Sequence, residues 1–172
     1  MEYRLKTPLE KSQLALLEVG DVVYVSGKLL TGRDAAHKRI FEALQSGKDL
    51  PFDIEGRAIY YVGPCAKDGR ILSAGPTTSM RMDAYAPLLY DCGVTATIGK
   101  GDRGEGVYEA IKRNGGVYLA AIGGAGALYA SKISGSKVLA YDDLGTEAVR
   151  EIEVSDFPCV VAIDCKGNSI YK

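Results

Sequence analysis

Apolar residues recur at two spacings along this chain, and the switches between them mark alternating strands and helices. Asp21-Val-Val-Tyr-Val-Ser26 is an apolar, β-branched run after a Gly20 turn and predicts a strand. From Thr31 to Ser46 the spacing changes to that of a helix start and a helix. Ala36, Ile40, Phe41 and Leu44 share one face, and Gly47 stands at the C-terminal stop. Ala58–Val62 predicts a second strand, and Arg70–Ala74 a third that returns after the Lys67-Asp68-Gly69 turn. Thr77 to Tyr90 predicts a helix that Pro87 kinks or ends.

Val94–Ile98 predicts the next strand. Asp102 and Glu105, at N-cap and N3 spacing, predict a helix running to Arg113 and closed by Gly115. Val117–Ile122 is a further strand, followed by a Gly-rich start to a helix over Ala125–Ile133. Val138–Tyr141 and Cys159–Ile163 complete the strands, with a last pair across Lys166-Gly167-Asn168. The expected fold class is α/β: a single layered domain over residues 1–172 with a mixed sheet.

Composition narrows the partners. With 172 residues, 47% hydrophobic and 25% charged, the chain has the make-up of one ordinary globular domain. A formal net charge of −1 gives no general attraction to nucleic acid or an anionic membrane. No apolar run approaches the length of a membrane span and no secretory leader pattern opens the sequence, so a cytoplasmic location is expected. Cys65, Cys92, Cys159 and Cys165 are widely spaced with no C-x-x-C pair, and Cys92 and Cys159 read as small buried side chains. His37 is the single histidine and by itself supplies no metal site.

The candidate chemistry lies in three segments of one design: a basic or hydroxyl side chain beside glycine, just after a strand, where a helix is expected to begin. They are Ser26-Gly-Lys-Leu-Leu-Thr-Gly-Arg-Asp34, Ser73-Ala-Gly-Pro-Thr-Thr-Ser-Met-Arg-Met-Asp83 and Ile98-Gly-Lys-Gly-Asp-Arg-Gly104. Free N–H groups at a helix start attract a small anion, and arginine adds a planar fork that matches a carboxylate. Thr77 and Arg81, four apart, would share a helix face, with Pro76 in the first helical position. Plain structural readings stand beside these: Arg33 paired with Asp34 or another acid, Thr77 and Thr78 as helix caps, Lys100 as a solvated turn residue. Gly99-Lys100-Gly101 is not a P-loop, because the Walker spacing is missing.

Six stretches together resemble the β subunit, or C-terminal domain, of the class I fumarase and L-tartrate dehydratase family of iron–sulfur hydro-lyases. They are Thr31-Gly-Arg-Asp-Ala-Ala-His-Lys-Arg39, Ala74-Gly-Pro-Thr-Thr-Ser-Met-Arg-Met-Asp83, Ile98-Gly-Lys-Gly101, Tyr118-Leu-Ala-Ala-Ile-Gly-Gly124, Asp143-Leu-Gly-Thr-Glu-Ala148 and Glu153-Val-Ser-Asp-Phe-Pro158. They run over nearly the whole chain in the family's order.

The resemblance implies a swivelling β/β/α domain that closes over an active site built largely by a partner. It implies a [4Fe–4S] cluster held by three cysteines of an α subunit, in an α₂β₂ assembly, and none held by this chain. It makes Arg33, Arg81 and Lys100 the clamp for the substrate carboxylate away from iron. Thr77 becomes the residue that removes the C3 proton of malate or positions the substrate, with Thr78 and Gly75 supporting it. The first and fourth stretches, with Glu153–Pro158, favour fumarate over tartrate as substrate. A non-catalytic dicarboxylate-binding module and a purely structural assembly domain are the other readings.

Overall fold

The computed structural model describes residues 1–122 and 124–172; Gly123, in the fourth of those stretches, lies outside the described residues. The chain opens with β1 (Glu2–Lys6) and the single-turn α1 (Lys11–Leu14), neither foreseen from the sequence. The buried leucines of this opening stretch, Leu5, Leu9, Leu14 and Leu17, are too sparse to show a period.

The long β2 (Val22–Thr31) then organises the sheet. Its ladder slips between Val25 and Gly27. Gly27 holds φ +107° there, and a side chain at that position would strike Thr7, whose Oγ1 accepts a hydrogen bond from the Lys28 N–H at 2.7 Å. Before this bulge β2 pairs with β1; after it, with β3 (Ala58–Tyr60). Thr31, expected at the helix start, therefore ends a strand, and α2 runs over Asp34–Gln45.

β2, β3, β6 (Ala96–Gly99) and β7 (Val117–Ala120) lie parallel and in chain order. The helices between them, α2, α3 (Ala86–Asp91) and α4 (Glu105–Asn114), pack on one face, as crossovers of one hand require. The last strand, β9 (Val149–Ile163), pairs antiparallel with β7, with β8 (Ile133–Ala140) and with β2, so the ladder closes on itself. Val23, Val25, Ile98, Leu119, Phe157 and Val161 fill the enclosed core, roofed by Leu14 of α1 and Tyr129 of α5 (Gly126–Ser131). The result is an α/β fold around a mixed sheet, the class the sequence predicts.

A separate hairpin, β4 (Cys65–Lys67) and β5 (Arg70–Ser73), turns at Asp68-Gly69, both in the left-handed region, as the turn signal predicts.

Several boundaries differ from expectation. Thr77–Tyr90 is not one helix: an extended segment leads to a 3₁₀ turn at Ser79–Met82, and Pro87 lies at the start of α3. A proline lacks the N–H but suits a first turn, so it opens this helix and does not break one. Asp102 does not cap α4; Gly104 holds the N-cap position, and Gly115 at φ +67° closes the helix as expected. Cys159 is buried, whereas Cys92 is half-buried against the second core cluster.

Candidate active site

The carboxyl ends of β2, β3 and β6 share one edge of the sheet, and all three candidate segments gather along it. In open α/β sheets this is the edge where ligands collect. Arg33 follows β2 as the residue before α2. Its side chain lies against Gly63, where a β-carbon would sit 2.9 Å from Arg33 Cδ and 3.3 Å from the Thr146 carbonyl oxygen. Arg33 Nε is buried with no hydrogen-bond partner among the described residues.

The second segment runs beside β6. Thr77 N–H donates to the Tyr61 carbonyl (2.8 Å), Lys100 N–H to the Thr77 carbonyl (3.3 Å), and Ser79 N–H to the Lys100 carbonyl (2.9 Å). These strand-like bonds, with Thr78 bridged to Lys100, are why no α-helix starts at Thr77. The helix face expected to unite Thr77 with Arg81 does not exist. Arg81 instead sits in the 3₁₀ turn and grips Asp34, its Nε donating to Asp34 Oδ1 at 3.1 Å and one Nη to Oδ2. Through Asp34 it is tied to the residue next to Arg33. Gly75 lies farther along, against Gly126 at the start of α5. Lys100 and Thr78 are exposed.

At the starts of α2 and α4 one amide each is already taken. The Ala35 N–H, in the first turn of α2, donates to the Glu147 carboxylate at 3.3 Å. The Gly104 N–H before α4 donates to Asp83 Oδ2 at 2.6 Å. The protein's own carboxylates hold these two amides and place negative charge beside both helix starts.

Beneath the loops lies a residue the sequence reading passed over. Arg103 has a fully buried side chain, donating from Nε to Asp83 Oδ1 (2.7 Å), from one Nη to Thr97 (3.0 Å) and from the other to the Tyr61 hydroxyl (3.1 Å). Its guanidinium also lies over the rings of Tyr61 and Tyr118. The Tyr118 hydroxyl donates to the Gly101 carbonyl at 2.7 Å and shares a 2.7 Å hydrogen bond with Ser79. This network pins the Ser79–Asp83 turn to the Lys100 loop. An arginine between Asp102 and Gly104 carries no sign of burial in its neighbours, so nothing in the sequence marked it.

His37 packs under Gly32 with its Nδ1 on the Arg33 carbonyl (2.8 Å), and burial pushes its pKa down to about 4. It is neutral at pH 7, donates from Nδ1, and adds no charge to the site.

The fumarase C-terminus family model matches residues 1–172. The chain belongs to that family. It is 41% identical to fumarate hydratase 2 of Leishmania major, over 97% of this chain and 30% of that protein. It is 42% identical to a putative L(+)-tartrate dehydratase subunit beta of Methanocaldococcus jannaschii, over 100% of this chain and 92% of that one. A putative class I fumarate hydratase of Geobacillus stearothermophilus is 39% identical over 98% of this chain and 33% of its own length. The chain thus spans about a third of these fumarate hydratases and nearly all of the β subunit. These fumarase-family relatives are lyases.

Class I fumarate hydratases depend on an iron–sulfur cluster, which needs closely arrayed cysteine thiolates. In this chain Cys65 is exposed, Cys92 and Cys165 are half-buried and Cys159 is buried. Among the described residues no three Cys, His, Asp or Glu side chains gather as a ligand set. Burial raises the Cys159 thiol pKa, the opposite of what a thiolate ligand needs. The described residues of this chain do not fit the cluster.

Proposed function

We propose that this chain is the substrate-clamping β subunit of a two-subunit, iron–sulfur fumarate hydratase that interconverts fumarate and (S)-malate. A cluster-bearing α subunit completes the site. The observation that carries the reading is the gathering of Arg33, Arg81 and Lys100 along one edge of the sheet, with Thr77 and Thr78 between them. Near-complete coverage of a relative named as a β subunit supports a separate partner.

In this reading the three cations receive the carboxylate of the diacid that faces away from the partner. They stabilise the charge that builds on that carboxylate as the adjacent carbon loses its proton. Thr77 takes that proton or aligns the carbon that releases it. A lone threonine hydroxyl is a poor base at neutral pH, so proton removal requires the neighbouring cations and a carboxylate from the partner. Thr78 and Gly75 shape the same loop. Closure of the domain over its partner excludes water from the clamp.

The test mixes the chain with its α partner under anaerobic conditions and follows fumarate absorbance. Arg81→Ala and Lys100→Ala are each expected to lower kcat/KM by about 10²-fold or more, the cost of a lost charged contact. Unchanged turnover and substrate binding in both variants would sink the clamp. The match to a tartrate dehydratase β subunit keeps L-tartrate as a second substrate reading, decided by assaying it beside fumarate. Tight dicarboxylate binding by the isolated chain in calorimetry would point instead to a stand-alone binding module.

A further inference from the structure

Arg81 stands on a short 3₁₀ turn, Ser79–Met82, whose Ser79 and Met82 are buried while the Arg81 side chain reaches solvent. Asp34 opens α2, on a frame held from several sides: the Ala35 N–H is taken by Glu147, Arg39 pairs with Asp143, and His37 is buried beneath Gly32. The bond between Asp34 and Arg81 therefore joins the start of α2 to the Ser79–Met82 turn and fixes the exposed end of a long side chain whose backbone is already held.

Its geometry is informative. Asp34 takes Nε and one Nη of Arg81, the side-on edge of the guanidinium. A guanidinium carries about five N–H donors, so this grip leaves about three at the far end. Among the described residues no acceptor reaches the other Nη. The Arg81 side chain is 49% exposed and that of Asp34 37%, so a ligand can reach the unused end without displacing the aspartate.

We propose that Asp34 is a positioning residue for the carboxylate clamp: it grips Arg81 side-on and presents the free end of that guanidinium to the ligand. This rests on the clamp reading above. Asp34 touches no substrate and acts through Arg81. As an exposed ion pair it adds little stability. Its effect lies in orientation, where a displacement on the ångström scale is costly.

The experiment is a double-mutant cycle in the assembled enzyme with fumarate as substrate. Asp34→Ala is expected to raise KM about tenfold or more, with a smaller change in kcat and a melting temperature close to that of the parent. Asp34→Glu is expected to recover part of the loss. In an Arg81→Ala background, Asp34→Ala is expected to add nothing, because the group it orients is gone. An equal KM effect of Asp34→Ala in both backgrounds overturns the proposal and points to a structural role in α2. A normal KM for Asp34→Ala, while Arg81→Ala is impaired, also overturns it and leaves the clamp intact. An unimpaired Arg81→Ala removes the clamp itself. A second measurement needs no variant: the Arg81 Nε–H should exchange with water more slowly than that of Arg4, whose ion pair uses a terminal nitrogen. Equal exchange rates overturn the proposal.

Discussion

His37 shows how one residue can tie stability to pH without taking part in chemistry. Its ring is fully buried, its Nδ1 donates to the Arg33 carbonyl, and no partner reaches Nε2 among the described residues. Burial lowers its pKa to about 4 from an ordinary 6.5. The unfolded chain therefore binds a proton as pH falls through 6.5, whereas the folded chain does not until near 4. Stability from this residue is fully present above pH 6.5, falls between there and 4, and levels off below. The loss amounts to about 3 kcal/mol at most. Urea unfolding at a series of pH values checks this: in His37→Gln the slope over that window is expected to flatten. A slope unchanged by the substitution would assign the pH dependence to other groups.

At the scale of elements, the site depends on close passage of one backbone by another. Gly99 ends β6 where the Thr77–Ser79 segment crosses it. A β-carbon there would stand 2.9 Å from the Tyr61 ring and 3.2 Å from the Thr77 carbonyl, and would strike the Ser79 hydroxyl. Gly99→Ala is expected to push the segment off the strand, at a cost of about 1–3 kcal/mol by overpacking. The bonds linking Thr77, Ser79 and Lys100 would open together. Thermal melting measures the stability loss, and faster exchange of the Ser79 amide locates it. Rigid loops over the buried Arg103, paired with Asp83, suit a site that must hold its cations ready before a diacid arrives.

For the molecule as a whole, the closing contact is between β9 and the parallel strands. Phe157 of β9 packs against Tyr60 of β3 at 4.8 Å and Tyr129 of α5 at 4.5 Å between ring centroids, joining the sheet to the helix that roofs its core. Phe157→Ala is expected to cost about 3–5 kcal/mol, read by denaturant unfolding. Most of that loss should appear as one cooperative transition, because the same rings reach the site: the Tyr60 hydroxyl donates to the Ala74 carbonyl at 2.5 Å, directly before Gly75. A separate early transition would show that the site's edge unfolds independently of the barrel.

Local pattern by itself determined most of the strands and helices from β2 onward, though not β1, α1 or the full length of β9, together with the turns at Asp68-Gly69 and Gly115, the α/β class and the loops that bear Arg33, Thr77, Arg81 and Lys100. These follow from periodicity and turn chemistry, which act over a few residues. Tertiary structure decided what depends on distant partners. Thr77 is extended because Tyr61 and Lys100 take its backbone bonds, although its neighbours read as helical. One amide at the start of α2 and one at that of α4 are taken because Glu147 and Asp83 reach them from 112 and 21 residues away. β9 continues past Asp156, whose φ of +49° falls in the register break opposite β2, because pairing with β2 resumes at Phe157 and Pro158. Hydrogen-bond satisfaction and ion pairing are settled by whatever the fold brings near, and that is not written in adjacent residues.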